Sequence, residues 1–203
     1  MNAILNPSAV PDAIGTLWEG GYYVGLLTFG GDVYAQVVAP KGEGQLPDTH
    51  EWGKYGKEVA GAASFFDGAS NTKAMAESGL VIAERILDLR IAGFDDWHIP
   101  ARDQLELAYR NFKPTSEENW VYRNGDNPSS VPPGYPYTIH LPGQTEVELF
   151  RKGGAEAFND DWYWSSTQFS ALTAWFQAFA DGTQNITLKH VYGRVRAFRS
   201  IKI

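Results

Sequence analysis

The sequence predicts an α+β fold in which two helices pack on short antiparallel sheets joined by long loops. Three observations carry the prediction. Tyr22–Phe29 and Val33–Ala39 are apolar runs separated by Gly30-Gly31-Asp32, the pattern of a β-hairpin. Two stretches between residues 71 and 112 space their apolar residues as amphipathic helices do. The last quarter holds the aromatic runs Trp162-Tyr163-Trp164-Ser165-Ser166-Thr167-Gln168 and Ala174-Trp175-Phe176-Gln177-Ala178-Phe179, then an Asp181-Gly182 turn and a closing Arg194–Arg199 segment.

The elements follow in order. Residues 1–15, with Pro7, Pro11 and Gly15, read as an extended N-terminal arm, suited to attachment or oligomer contacts or simply frayed. A single domain is expected over residues 16–203, since 203 residues with 43% hydrophobic content suffice for one core. The hairpin ends at Pro40, and residues 41–70 form a Gly- and Asp-rich loop anchored by Trp52 and Tyr55. Asn71 is placed to cap a helix through Ala74, Ala76, Val81, Ile82, Ile86 and Leu89, ending at Gly93. After Asp95–Pro100 a second helix is expected from Asp103 to Phe112. A Pro/Gly-rich insertion fills about 113–161, with a short helix expected within Glu146–Ala157.

Composition narrows the function classes. A net charge of -7 repels nucleic-acid phosphates and anionic membranes, and no nucleic-acid partner is expected. Arg194, Arg196, Arg199 and Lys202 are the one basic cluster, and strand alternation splits them between faces. With no Cys, disulfides, thiolate metal sites and Cys nucleophiles are excluded. Met1–Val10 lacks the pattern of a signal peptide, and no apolar run suits membrane insertion, so synthesis in a bacterial cytoplasm is expected.

No constellation for catalysis, metal or cofactor stands out. His50, His98, His140 and His190 are scattered without metal-ligand spacing. Asp95-Asp96 and Asn159-Asp160-Asp161 carry oxygen ligands that suit calcium, but turn chemistry explains them more simply. Gly42-Glu43-Gly44 and Gly153-Gly154 lack a phosphate-loop Lys, and Ser165 and Ser166 sit in no nucleophile elbow. The expectation is a protein that is not an enzyme and has no metal or cofactor.

Several blocks together resemble one family. They are Gly93-Phe94-Asp95-Asp96-Trp97-His98-Ile99-Pro100 with Asp103-Gln104-Leu105-Glu106-Leu107, then Tyr163-Trp164-Ser165-Ser166-Thr167, Ala174-Trp175, Phe179 with Asp181-Gly182, and Val195-Arg196-Ala197. In this order, and with Val38-Ala39-Pro40 and Trp52-Gly53 upstream, the chain resembles the Lcl C-terminal domain family, which is related to the C-type lectin fold. Lys113-Pro114-Thr115, Asn127–Gly134 and Gly153–Phe158 resemble the form found in tailed phages and prophages. The resemblance implies a C-type-lectin-like fold and a place in the virion, as a phage tail component. Ala101 departs from the Ser or Thr common after the Pro, and Asp103 is the substitute cap expected. The sugar-binding triplets and strand motif of calcium-dependent lectins are missing, as is the Cys of formylglycine-generating enzymes. What the resemblance leaves is a ligand surface near the C-terminal strands.

Strand alternation puts Trp175, Gln177 and Phe179 on one face and Ala174, Phe176 and Ala178 on the other. The large Trp175 and Phe179 are expected in the core with Trp164, leaving Phe176 exposed. Gln168, Phe169, Phe176, Gln184, Asn185, Lys189, His190 and Tyr192 are the expected ligand-binding residues, since aromatic and amide groups mix at recognition surfaces. The function expected is a tail or tail-fibre-tip module that binds a bacterial surface receptor, glycan or protein, with the arm contacting other tail subunits. A homo-oligomer is compatible with it. A structural decoration or assembly protein is the alternative, and a glycan-cleaving enzyme requires Asp160 and Asp181 to meet in a cleft.

Overall fold

The computed structural model of the chain describes residues 9–122 and 124–203. Its elements run β1 (Leu17–Trp18), β2 (Gly21–Phe29), β3 (Asp32–Val38), the one-turn α1 (Lys41–Gly44), β4 (His50–Glu51), α2 (Gly68–Glu77), α3 (Val81–Leu87) and α4 (Arg102–Phe112). They continue with β5 (Ser130–Val131), a 3-10 turn (Glu148–Phe150), β6 (Trp162–Gln168), β7 (Thr173–Ala178), β8 (Gln184–Leu188), β9 (Tyr192–Gly193) and β10 (Phe198–Lys202). The fold is α+β, with every pairing between named strands antiparallel.

The predicted hairpin forms β2 and β3, joined through Gly30 and Gly31 at φ 60° and 86°. A two-residue turn with positive φ at both positions matches the strand twist, and only residues without Cβ adopt it readily. β1 and β5 share the outer edge of β2, while β10 closes the other side against β3, so the last strand meets the first hairpin. A second sheet, β6-β7-β8, and the small β4-β9 ribbon complete the strands.

The helices depart from expectation: among the described residues four α-helices form, where two and a further short one within Glu146–Ala157 were expected. The stretch expected as one helix from Asn71 splits into α2 and α3 because Gly79 takes φ 76° and ends the first. Asp67 is the cap, accepting from Ser70 N–H, while Asn71 is buried and hydrogen-bonded to Ser64. Asp103 does not cap α4, because its carboxylate is turned to Arg102 and Ser129. Gln104 serves instead, its Oε1 accepting from Ala101 N–H at 2.7 Å and from Gly68 N–H at 3.1 Å.

Two apolar clusters fill the interior. One gathers Trp52, Trp97, Trp164, Met75, Ile82 and Ile86; the other gathers Leu105, Tyr109, Phe112, Phe150, Phe158 and Phe179. The Pro/Gly-rich region supplies much of the second. Phe150 stacks on Phe112 at 3.8 Å between centroids, and Tyr137 donates to the buried Glu106 at 2.8 Å. The helix expected within Glu146–Ala157 is only the 3-10 turn, stopped by extended Arg151 and by Gly153 at φ 90°. Of the predicted arm, residues 1–8 lie outside the described residues. Val10 and Ile14 pack against the core, and Gly15 N–H donates to Tyr23 O at 2.8 Å.

Candidate functional site

The β6-β7-β8 sheet and its flanking turns carry the eight residues expected to bind ligand, and the structure divides them. Phe176 is only 8% exposed and stacks on Trp162 at 5.0 Å, whereas Trp175 stays half-buried beneath Arg102 and Phe65. This reverses the expectation for these two residues. Ala174, Phe176 and Ala178 join Trp164 in the first cluster, while Tyr163 and Phe179 join the second. Both faces of the sheet are therefore covered, and alternation cannot separate inside from outside. Trp164 and Phe179 are buried as expected.

Gln168 and Lys189 are also buried rather than displayed. Lys189 Nζ donates to Gln168 Oε1 at 2.6 Å and to Lys57 O at 2.8 Å, and lies 4.6 Å from the centre of the Trp52 ring. Gln168 Oε1 also accepts from Val59 N–H at 2.8 Å. Burial pulls the Lys189 ammonium down to about 8, with Glu58 drawing it part of the way back. Gln184 is partly buried, bonded to Gln177 and to Arg102 O. Asn185 is exposed, but its Oδ1 accepts from Ile186 N–H, which covers one donor on the edge strand β8.

Phe169 at 58% and Tyr192 at 63% are exposed, as is His190. His190 meets Tyr55 edge to face at 5.1 Å. Tyr192 lines a groove of about 390 Å³ with His50 and Glu51 of β4, Trp52, Lys54, Lys57 and the α2–α3 turn at Ser78–Ile82. Its floor is fixed from below. Trp52 is fully buried and its indole donates to Ser165 O at 2.8 Å, while Lys57 Nζ ties the loop to Ser78 O at 3.1 Å. The side chains of Lys54 and Glu51 have no hydrogen-bond partner among the described residues. The groove thus offers an aromatic face, an apolar wall at Leu80 and Val81, and charges of both signs. Sequence reasoning missed Glu51, Lys54 and Val81; the naming of Trp52 and Tyr55 as anchors was its nearest signal.

The basic cluster of the C-terminal strand is dispersed. Arg194 pairs with Asp161, Arg196 with Glu156, Arg199 with Asp96 and Lys202 with Asp32. Asp95 pairs with Arg90 and Asp160 with Lys152, so the suspected calcium ligands serve surface ion pairs. Among the described residues no three His, Asp or Glu groups converge to hold a metal, and no helix is long and apolar enough to cross a membrane. Asp160 and Asp181 do line one cleft, beside Trp162.

Comparison with models of known families and with curated proteins found no match to the chain.

Proposed function

We propose that the chain is a non-enzymatic binding module of a tailed-phage particle, with a C-type-lectin-like domain that recognises a structure on the bacterial surface. The groove beside Tyr192 is its contact site. One observation carries the reading: Trp52, fully buried and held by Lys189 and Ser165, lines the groove with the exposed Tyr192, and the exposed Tyr55 and His190 meet edge to face. Fixed aromatic groups of this kind present contact area at low entropic loss. The sequence resemblance supports the phage setting and the lectin-like assignment. The N-terminal arm, residues 1–15, is the attachment segment to other tail subunits, and many copies on one particle would raise the avidity of a weak contact.

The test is cell labelling with the full chain carrying a fluorophore. Susceptible bacteria should be stained, and the protein should compete with virion adsorption. The double variant Tyr55→Ala/Tyr192→Ala should lose both properties while keeping the wild-type circular dichroism. Deletion of residues 1–8 should leave staining intact and abolish incorporation into particles. A chain that stains no susceptible host and leaves adsorption unchanged refutes the proposal.

A further inference from the structure

A second concave site lies away from the groove, at the end of the β6-β7 hairpin. It measures about 290 Å³ and is lined by Trp162 and Phe176 below and by Asp160, Asp161, Asp181 and Thr183 around the edge. Its aromatic floor is held in place. Trp162 stacks on Phe176 with 23° between planes, its backbone N–H donates to Asp161 Oδ1 at 2.8 Å, and its backbone carbonyl accepts from Arg194 N–H at 2.8 Å. Asp161 Oδ2 is clamped by Arg194 Nε at 2.9 Å. Trp162 leaves 41% of its surface in solvent, so part of its ring is open to a ligand.

The rim supplies acceptors. Asp181 Oδ1 takes Thr183 N–H at 2.9 Å, and Asp160 Oδ2 faces Lys152 Nζ at 3.4 Å. Asp181 Oδ2 and Asp160 Oδ1 have no hydrogen-bond partner among the described residues. Lys152 and Arg194 offset two of the three carboxylates, so the cleft carries about one net negative charge. An anionic ligand meets the open carboxylate oxygens and is repelled. Among the described residues Asp160, Asp161 and Asp181 do not converge as a group of metal ligands. The chemistry that fits is a flat apolar face for the indole together with several hydroxyl donors at its edge.

We propose that this cleft is a metal-independent subsite for one neutral sugar residue, its ring face on Trp162 and its hydroxyls donating to Asp181 and Asp160. Its volume is at the lower end of small-molecule sites, which suits a single ring. Charge-assisted hydrogen bonds to a carboxylate are the stronger kind, and the indole is preorganised by Phe176. The site stands apart from the Tyr192 groove, and its chemistry does not depend on what that groove binds.

The experiment is a nitrogen-15 NMR titration of the full chain with the methyl glycosides of glucose, galactose and N-acetylglucosamine, using sodium glucuronate as the charged comparator. At least one neutral probe should move the Trp162 indole and Thr183 amide signals, with a Kd on the order of 1 mM. Trp162→Ala should abolish the response. Asp181→Asn keeps the Oδ1 that accepts Thr183 N–H and should weaken binding about tenfold, and it decides the matter should Trp162→Ala fail to fold. Tyr55→Ala/Tyr192→Ala should leave the titration unchanged even where cell staining is lost, which separates this subsite from the groove. The proposal is overturned by no movement at Trp162 with any neutral probe, by Asp181→Asn binding as wild type, or by glucuronate binding as tightly as the neutral sugars.

Discussion

Acidification tests the buried His98, whose ring lies fully inside the fold. Its Nε2 sits 3.3 Å from Gln104 Nε2 and 3.5 Å from Ser200 Oγ, in a position to accept. Burial pushes its pKa from 6.5 down to about 4; Asp96 and Asp67 draw it back upward and Arg199 adds to the fall. The folded protein therefore binds fewer protons at this site than the unfolded chain between these values. Stability from this group is present above pH 6.5 and is lost as the pH falls towards 4. With 1.36 kcal/mol per pH unit, the loss relative to pH 7 is about 2 kcal/mol at pH 5 and about 3 kcal/mol at pH 4. Asp103 and Glu106, whose carboxyls are raised by burial, act in the opposite direction, so the wild-type curve alone does not isolate His98. The assay is urea unfolding followed by tryptophan fluorescence from pH 7 to pH 4 for wild type and His98→Gln. The variant lacks the titration, and the gap between the two curves should change by the stated amounts. Parallel curves from pH 7 to pH 5, or an NMR midpoint for His98 near 6.5, refute the reasoning.

Lys189 predicts a change at the other end of the scale. Its folded pKa of about 8 lies below the unfolded 10.5, so wild type should gain about 2 kcal/mol between pH 7 and pH 10 that Lys189→Met does not, measured by the same unfolding assay. Glu156→Gln leaves the fully buried Arg196 without its counter-charge and should destabilise by about 3 kcal/mol in denaturant titration. The double variant Glu156→Leu/Arg196→Met should lose less than that single change. Gly182→Ala places a Cβ 2.5 Å from the Tyr109 ring at φ 77° and should lower stability by about 2 kcal/mol, visible as a reduced Tm.

What the sequence reveals here depends on the reach of each interaction. The β2–β3 hairpin was readable because its turn, its two strands and their alternation lie within 18 residues, and Gly30-Gly31 admits the required backbone. The break at Gly79 was readable in principle, since a Gly inside an amphipathic run is a stop signal, but the apolar spacing through Ile86 masked it. The candidate site is harder because its parts meet over long distances. Lys189 and Gln168 have the residue types of a surface, and only contacts with Lys57, 132 positions away, and with each other, 21 apart, reveal them as interior supports. The residues expected at the surface therefore divide between exposed positions and interior supports. Tyr192 and His190 face solvent, whereas Lys189, held by Gln168, packs on the buried Trp52. The same reversal holds on β7, where two covered faces make Phe176 a buried prop for the exposed Trp162. Trp162 stays exposed yet fixed because Phe176 holds it from behind, and that pairing is a property of the folded sheet rather than of any local run of sequence.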